Sequence, residues 1–249
     1  MTDSPFTIHD SRKRIRIAVL ASGHGTNLQA IIEACQGGVL LGTVVVVASD
    51  NPKAGALGRA RAAGIPVLVL SVRSVPTREK FEERLAEALH SYRPDLVCLA
   101  GFMRILSPAF VQQFAGRIMN IHPALLPAFG GVGMYGEHVH RAVLDRGVRV
   151  SGCTVHFVDD VPDGGPIILQ AAVAVDADDT VSSLAAKIAE HEHRLYPEAV
   201  QLFAEGRLQI EGRRVRVLPP EVYQVPDPSQ TRTWYEPAPV LASDPGGEP

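Results

Sequence analysis

The sequence predicts an α/β fold with a mostly parallel, twisted sheet, flanking helices, and antiparallel strands toward the C-terminal part. Two observations predict this fold. Over the first two-thirds of the 249 residues, short β-branched runs alternate with segments of helical period, which indicates parallel strands joined by crossover helices. After residue 150, two apolar runs are separated only by a turn region, which indicates an antiparallel pair.

Five strands and five helices are predicted in the parallel part. The strand candidates are short and rich in β-branched residues, and they cover residues 15–21, 43–49, 66–70, 96–99 and 118–121. The helix candidates carry apolar residues at helical spacing and cover residues 27–35, 53–63, 77–92, 108–114 and 138–145. Gly64 follows the second helix as a C-terminal cap, and Thr77 with Lys80 gives the third helix half a capping box.

The C-terminal part is organised differently. Strands are predicted over residues 150–158 and 166–175, followed by a long helix over roughly residues 180–204. A short hairpin of residues 208–210 and 215–217 then turns at Glu211-Gly212. These elements complete one domain over residues 14–220. Residues 1–13 are polar and residues 221–249 are rich in proline, serine and acids, so both segments are expected to be flexible extensions.

Composition and charge argue against several classes of protein. Apolar residues make up 46% and charged residues 20%, and the net charge of -3 disfavours binding to nucleic acid or to a membrane surface. No apolar run is long enough to span a membrane, and the N-terminus lacks the apolar segment of a signal peptide. Cys35, Cys98 and Cys153 lie far apart in apolar sequence, which indicates buried free thiols. We therefore expect a cytoplasmic protein.

Two loops that follow predicted strands are candidates for ligand binding. Residues 22–27 combine glycines with Thr26 and Asn27 at the start of a helix, where free N–H groups favour an anion. The loop matches neither a dinucleotide-binding nor a Walker A pattern, so a plain turn and a phosphate site are both open, and the Thr and Asn favour phosphate. His24 is expected to be solvated. Residues 101–106 form either a hydrophobic plug or the wall of a pocket for a flat aromatic ligand.

The residues best suited to chemistry are an amide, an imidazole and a carboxylate. Asn120 and His122 lie on one side of an extended chain, Pro123 keeps His122 extended, and Asp163 comes about forty residues later. An amide can donate to an oxyanion, an imidazole can move a proton near neutral pH, and an adjacent carboxylate favours the charged imidazole. The set suits acyl transfer to an amine without a covalent enzyme intermediate. A structural role for a histidine at a strand end is the alternative.

Other histidine, aspartate and nucleophile patterns in the sequence do not indicate a functional site. The HVH and HEH segments at residues 138–140 and 191–193 lack the ligands to complete a metal site, so surface histidines are the preferred interpretation. Asp159 and Asp160 are expected to be solvated turn residues, with only Asp163 pointing inward. No GxSxG motif and no cysteine nucleophile support covalent catalysis.

Five motifs in order carry a family resemblance: SGHGTNLQAII, AGFMRIL, NIHPALLP, GCTVHFVD and DGGPIILQ. Over roughly Arg14 to Pro220 the chain resembles the phosphoribosylglycinamide formyltransferase family. The resemblance implies a Rossmann-like formyltransferase fold. It also implies transfer of the formyl group of 10-formyltetrahydrofolate to the amino group of 5'-phosphoribosylglycinamide, through a tetrahedral intermediate, in de novo purine biosynthesis. No metal is implied.

The resemblance also implies roles for individual residues. The catalytic trio would be Asn120, His122 and Asp163. The ribonucleotide would be bound by Gly25, Thr26, Asn27 and Glu192. The folate would be bound by Arg78, Met103, Arg104, Ile105, Leu106 and Asn120. Thr154 and His156 would line the same site. Departures from the family pattern are His24, DGGP in place of DTGP, and a longer segment at residues 129–136 that is expected to border the cleft.

In the mechanism that we expect, Asn120 and protonated His122 stabilise the oxyanion, and Asp163 keeps His122 charged. A proton then reaches the leaving folate nitrogen through His122 or through a water near Thr154. The nearest rival is a formyltetrahydrofolate deformylase, in which water replaces the amine. A methionyl-tRNA formyltransferase and a non-catalytic folate or nucleotide binder are disfavoured. The expected partners are small molecules, with a homodimer possible.

Overall fold

The computed structural model describes residues 14–71 and 75–220. Within these ranges nine strands form a single sheet in the order β3-β2-β1-β4-β5-β6-β7-β9-β8. The strands are β1 (Ile15–Leu20), β2 (Gly42–Ser49), β3 (Val67–Val69), β4 (Leu96–Leu99), β5 (Ile118–His122), β6 (Val150–Phe157), β7 (Ile167–Ala174), β8 (Leu208–Glu211) and β9 (Arg214–Val217). The helices are α1 (Thr26–Gln36), α2 (Gly55–Ala62), α3 (Arg78–Ser91), α4 (Pro108–Gln113), α5 (Glu137–Asp145) and α6 (Val181–Ala204).

The sheet confirms the predicted fold class. Strands β1 to β5 pair in parallel, whereas β6 is antiparallel to both β5 and β7. The hairpin of β8 and β9 joins the same sheet through one parallel pairing with β7, at Ile167 and Arg214. His122 is the last residue of β5 and not a loop residue, since its pairing with Thr154 of β6 extends the strand by one position.

Helices cover both faces of the sheet and enclose two apolar cores. One core packs α1, α2, α5 and α6 against the sheet, and Leu28, Leu57, Val143 and Ile188 are representative of it. The other core packs α3 and α4 against the opposite face. Apolar residues alternate along β5 between the two cores, so Asn120 and His122 project on the α3–α4 side.

Local signals in the sequence set several of the helix ends. The Thr77 hydroxyl accepts the Lys80 N–H at 3.2 Å, as the half capping box predicts. Gly64 has φ +70° and donates its N–H to the Arg61 carbonyl, which confirms the predicted cap after α2. Helix α6 begins with a full capping box between Thr180 and Ser183.

The three cysteines are free, as predicted, but only Cys98 and Cys153 are buried, whereas Cys35 is half-buried. Burial raises the pKa of the Cys98 and Cys153 thiols to about 12, so both stay protonated and behave as small apolar residues. Among the described residues, no helix is long and apolar enough to cross a membrane. The expected flexible extensions, residues 1–13 and 221–249, lie outside the described residues.

Candidate active site

A cleft of about 580 Å³ opens beyond the carboxyl ends of β4 and β5. Three loops surround it: residues 101–106 after β4, residues 131–136 before α5, and residues 158–163 after β6. The second of these is the long segment that was expected to border the cleft, and its position confirms that expectation. The first two loops meet here because they follow the adjacent parallel strands β4 and β5, whereas the third loop follows β6, which is antiparallel to β5.

The predicted catalytic trio comes together on the floor of this cleft. The Asn120 amide nitrogen lies 3.1 Å from His156 Nε2 and 3.5 Å from Asp163 Oδ1. His122 Nδ1 lies 3.5 Å from Asp163 Oδ2. The pairing of β5 with β6 places Asn120 opposite His156, so two neighbouring strands fix the positions of both side chains.

Hydrogen bonds to main-chain carbonyls assign the protons of both imidazoles. His122 Nε2 lies 2.8 Å from the Phe129 carbonyl and must donate to it, so Nδ1 of the neutral ring faces Asp163 as an acceptor. His156 Nδ1 likewise donates to the Phe157 carbonyl at 2.8 Å, which leaves Nε2 to accept from Asn120. The two rings are therefore fixed in opposite tautomers.

Asp163 is held in place by its backbone and by its hydrogen bonds. Its φ of +53° is uncommon for a residue other than glycine, and Gly131 N–H donates to Oδ2 at 2.9 Å. Burial alone would raise the pKa of the carboxyl. The neighbouring imidazoles of His156 and His122 and the Gly131 N–H outweigh burial and hold the pKa of Asp163 below its ordinary value. Asp163 is therefore ionised at neutral pH.

The charge state of His122 differs from the expectation. Burial lowers the pKa of His122, and this effect exceeds the opposite contributions of the Asp163 carboxylate and the Phe129 carbonyl. The net pKa lies below the ordinary histidine value, so the imidazole is neutral at pH 7. Asp163 does favour the charged form, but the carboxylate alone does not keep His122 protonated.

Thr154 supports the loop that follows His122 and does not hold a water. Its side chain is fully buried, and its hydroxyl donates to the Ala124 carbonyl at 2.7 Å. The same oxygen accepts the Leu126 N–H and the Gln170 side-chain amide, each at 3.0 Å. All of its hydrogen-bonding capacity is used by the chain, so the expected role beside a catalytic water is wrong.

The start of α1 and the middle of α6 form one end of the cleft. The Asn27 amide donates to Glu192 Oε2 at 2.9 Å, and both residues line the cleft. Burial raises the pKa of Glu192, although the hydrogen bond from Asn27 acts in the opposite direction. Gly25 precedes the helix at φ +77°, and a Cβ there would lie 2.7 Å from the Ala56 Cα, so only glycine permits this approach to α2.

The remaining residues of the predicted phosphate loop are placed differently. Thr26 is the first residue of α1, is exposed, and lines a second groove between α1 and α6 rather than the main cleft. Gly25 at the N-cap has no side chain to cap the first turn of α1, so within the described residues its first backbone N–H groups are available to bind an anion. His24 is exposed, as predicted.

The predicted folate segment forms the opposite wall. Met103, Arg104, Ile105 and Leu106 all line the cleft. The Arg104 guanidinium donates to Asp50 at 2.7 Å and lies over the Phe81 ring, so this side chain stabilises the wall.

Arg78 has an indirect place in this wall. It is not among the described residues that line the cleft. Its guanidinium donates to the Ile105 carbonyl at 2.6 Å and to Glu82 at 3.0 Å. Buried Glu82 in turn accepts from both the backbone N–H and the hydroxyl of Ser107. Arg78 and Glu82 therefore anchor the segment from behind, and the expected direct contact of Arg78 with the folate is not what the geometry favours.

Sequence reasoning missed one buried residue of the cleft. His140 was assigned to the surface, yet it is only 6% exposed and lines the cleft, whereas His138 is exposed and packs against Tyr135. The spacing of Val139 and Val143 could have revealed this, because it places His140 at the edge of the buried face of α5.

The expectation that Asp159 and Asp160 are solvated turn residues is only partly correct. Asp159 and Asp160 do lie in a turn, but they also line the mouth of the cleft. Within residues 14–71 and 75–220, no group of three or more His, Cys, Asp or Glu side chains is placed to hold a metal ion.

Comparisons with known proteins identify relatives over most of the chain. The formyl transferase family matches residues 15–200. The phosphoribosylglycinamide formyltransferase of Escherichia coli (strain K12) is 45% identical over 216 residues, which cover 84% of this chain and 98% of that protein. The trifunctional purine biosynthetic protein adenosine-3 of Bos taurus is 44% identical over 198 residues, which cover 80% of this chain but only 19% of that protein.

Solved structures agree with these relatives. Glycinamide ribonucleotide transformylase 1 from Symbiobacterium toebii is 52% identical with a TM-score of 0.81, and the match covers 87% of this chain and 100% of that one. A formyltetrahydrofolate deformylase from Pseudomonas syringae pv. tomato has a TM-score of 0.75 at 23% identity, covering 83% of this chain and 66% of that one, which shows a shared fold alone. The chain belongs to the formyl transferase family.

Proposed function

We propose that this chain transfers the formyl group of 10-formyltetrahydrofolate to the amino group of 5'-phosphoribosylglycinamide, giving the N-formyl product and tetrahydrofolate. The observation that carries the proposal is that Asn120 and His122 each lie 3.5 Å from Asp163 in one cleft. The relatives named phosphoribosylglycinamide formyltransferase and transformylase support this choice of substrates.

The two ends of the cleft suit the two substrates. At one end, the free N–H groups of α1 favour a phosphate, and the Asn27–Glu192 pair offers hydrogen-bonding groups to a sugar or an amide. At the other end, residues 103–106 combine apolar side chains with main-chain groups that can pair with the polar edge of a flat ring. Arg78 contributes to folate binding by fixing the Ile105 carbonyl.

The charge states suggest how the trio acts. The Asn120 amide exchanges its hydrogen bond of 3.5 Å to Asp163 for one to the oxygen that becomes negative when the amine attacks the formyl carbon. His122 is neutral before attack and takes up the proton that the amine releases, after which the ionised Asp163 stabilises the imidazolium at 3.5 Å. That proton is then available to the departing folate nitrogen. The role that was first assigned to a charged His122 therefore belongs to a later step of the reaction.

Dependence on the amine tests the proposal. The purified chain is given 10-formyltetrahydrofolate alone, with glycinamide, or with 5'-phosphoribosylglycinamide, and tetrahydrofolate release is followed. We expect rapid release only with the phosphoribosyl amine, and loss of that activity in His122→Ala. Release of tetrahydrofolate and formate at equal rates in all three mixtures would instead identify a deformylase, and no release in any mixture would indicate a non-catalytic binder.

Three further expectations belong to the proposal. We propose that residues 14–220 form the formyltransferase domain, that the enzyme works in the cytoplasm, and that a homodimer is a possible assembly. Each of these stays a prediction from sequence and family.

A further inference from the structure

His140 is a buried imidazole of the cleft to which the proposed mechanism gives no role. It lies on α5 and is 6% exposed. Its Nδ1 is buried and has no hydrogen-bond partner among the described residues. The described residues give its Nε2 no hydrogen-bond partner either, and a buried imidazole without any partner at the wall of a cleft points to a ligand.

The other two imidazoles of the cleft differ from His140 in this respect. His122 donates to the Phe129 carbonyl and faces Asp163 with its second nitrogen. His156 donates to the Phe157 carbonyl and accepts from Asn120. The chain therefore gives each of these two imidazoles at least one hydrogen-bond partner, whereas His140 has none among the described residues.

The position of α5 assigns His140 to one end of the cleft. Helix α5 packs against α6, which carries Glu192, and Val143 of α5 belongs to the core that also contains α1. Asn27 of α1 is hydrogen-bonded to Glu192. His140 therefore approaches from the side of the Asn27–Glu192 pair, on the sheet face opposite to α3, whose Arg78 anchors the folate segment.

The protonation of His140 makes its other nitrogen a donor. Burial lowers the pKa of His140 and outweighs the opposite effect of Glu137, so the ring is neutral at pH 7. A neutral imidazole has one N–H, and buried N–H groups without a partner are rarer than acceptors without one. The proton is therefore on Nε2, with the lone pair on the enclosed Nδ1.

We propose that His140 contacts the amine substrate, donating its Nε2–H to a neutral oxygen of that molecule, either the amide carbonyl or a ribose hydroxyl. This inference rests on the proposed function, because it specifies which of the two substrates His140 contacts. It makes His140 a specificity-determining residue for the ribonucleotide rather than for the folate.

Two amide variants separate the ring nitrogens. The terminal N–H of His140→Gln reaches about as far as Nε2, whereas that of His140→Asn corresponds to Nδ1. His140→Leu removes both, and His138→Gln is the matched control on the exposed face of the same helix. The dissociation constant of 5'-phosphoribosylglycinamide is measured by calorimetry without folate, and both KM values are measured by tetrahydrofolate release.

We expect His140→Leu and His140→Asn to weaken ribonucleotide binding about tenfold, as the loss of one hydrogen bond implies, with an unchanged KM for the folate. His140→Gln should stay within about threefold of the wild type, and His138→Gln should match it. Equal ribonucleotide affinity in all variants would overturn the proposal. So would a parallel loss of folate affinity, which would indicate damage to the cleft as a whole.

Comparing Gln with Asn keeps the test decisive even if the Leu variant folds poorly, because a purely structural role would not favour the longer amide specifically. Wild-type enzyme that releases no tetrahydrofolate with the ribonucleotide would refute the proposed function itself. A wild type that is active, with His140 variants of unchanged affinity, would refute only the role of His140.

Discussion

Replacing Thr154 by valine tests how the chain positions His122. The two side chains have nearly the same shape, and valine suits a strand, so the change removes the hydroxyl with little loss of packing. In the wild type this hydroxyl pairs with the Ala124 carbonyl at 2.7 Å and with the Leu126 N–H at 3.0 Å. Both main-chain groups belong to the segment that directly follows His122-Pro123, and Thr154 itself is fully buried.

The magnitude follows from the groups that lose their partner. Each buried main-chain group left unpaired costs about 1–3 kcal/mol, so two of them should lower the free energy of unfolding by about 3 kcal/mol. Gln170 keeps its bond to the Leu126 carbonyl and limits the loss. Thr154→Ser is the matched control, since it retains the hydroxyl and loses one methyl group, which is about 1 kcal/mol.

Urea unfolding and steady-state kinetics measure the two effects. We expect Thr154→Val to be less stable than Thr154→Ser by about 2 kcal/mol and to have a lower kcat, because the loop no longer holds His122 against the Phe129 carbonyl. Equal unfolding free energies for the valine and serine variants would refute the argument. Full kcat in a destabilised valine variant would show that this loop does not position His122.

Three further predictions concern the substrate subsites and pH. Thr26→Asp should leave the stability unchanged or raise it, because an acidic residue is favourable in the first turn of α1. It should raise the KM for the ribonucleotide but not the KM for the folate. A ribonucleotide KM equal to that of the wild type would place the phosphate elsewhere. Arg78→Met should raise the KM for the folate by freeing the Ile105 carbonyl, with the ribonucleotide KM as the internal control. Burial lowers the pKa of His122 and His140 in the folded chain, so at falling pH these side chains take up protons more readily in the unfolded chain. The free energy of unfolding should therefore fall as pH drops from about 7 to 5. The free energy of unfolding of His140→Gln, measured in the same way, should depend less steeply on pH. An identical pH dependence would mean that His140 is not buried in its neutral form.

The elements of the fold were predictable because their signals are local. Strand β4 has the predicted bounds, and β5 extends one residue beyond its prediction, since β-branched and apolar runs flanked by turn residues are sufficient to place buried strands. The parallel pairing of β9 with β7 was not predicted. It rests on one residue pair between segments far apart in sequence, and no local pattern encodes such a contact.

The candidate site was predictable in its chemistry but not in its environment. The types and order of Asn120, His122 and Asp163 identified the site, because few residue sets suit acyl transfer to an amine. The neutral state of His122 depends on how completely the rest of the fold buries it. The hydroxyl of Thr154 has all its hydrogen bonds only because the loop after His122 returns to β6. Both are consequences of long-range packing. The buried position of His140 was within reach of helical periodicity.

Asp163 acts on His122 through its charge. The most direct measurement is an NMR titration of the His122 imidazole in the wild type and in Asp163→Asn, with the substitution keeping the shape of the side chain. The carboxylate favours the charged ring while burial disfavours it, so the wild-type pKa should lie below the ordinary histidine value and the mutant pKa lower still. A pKa of His122 that is unchanged or raised in Asp163→Asn would contradict the account.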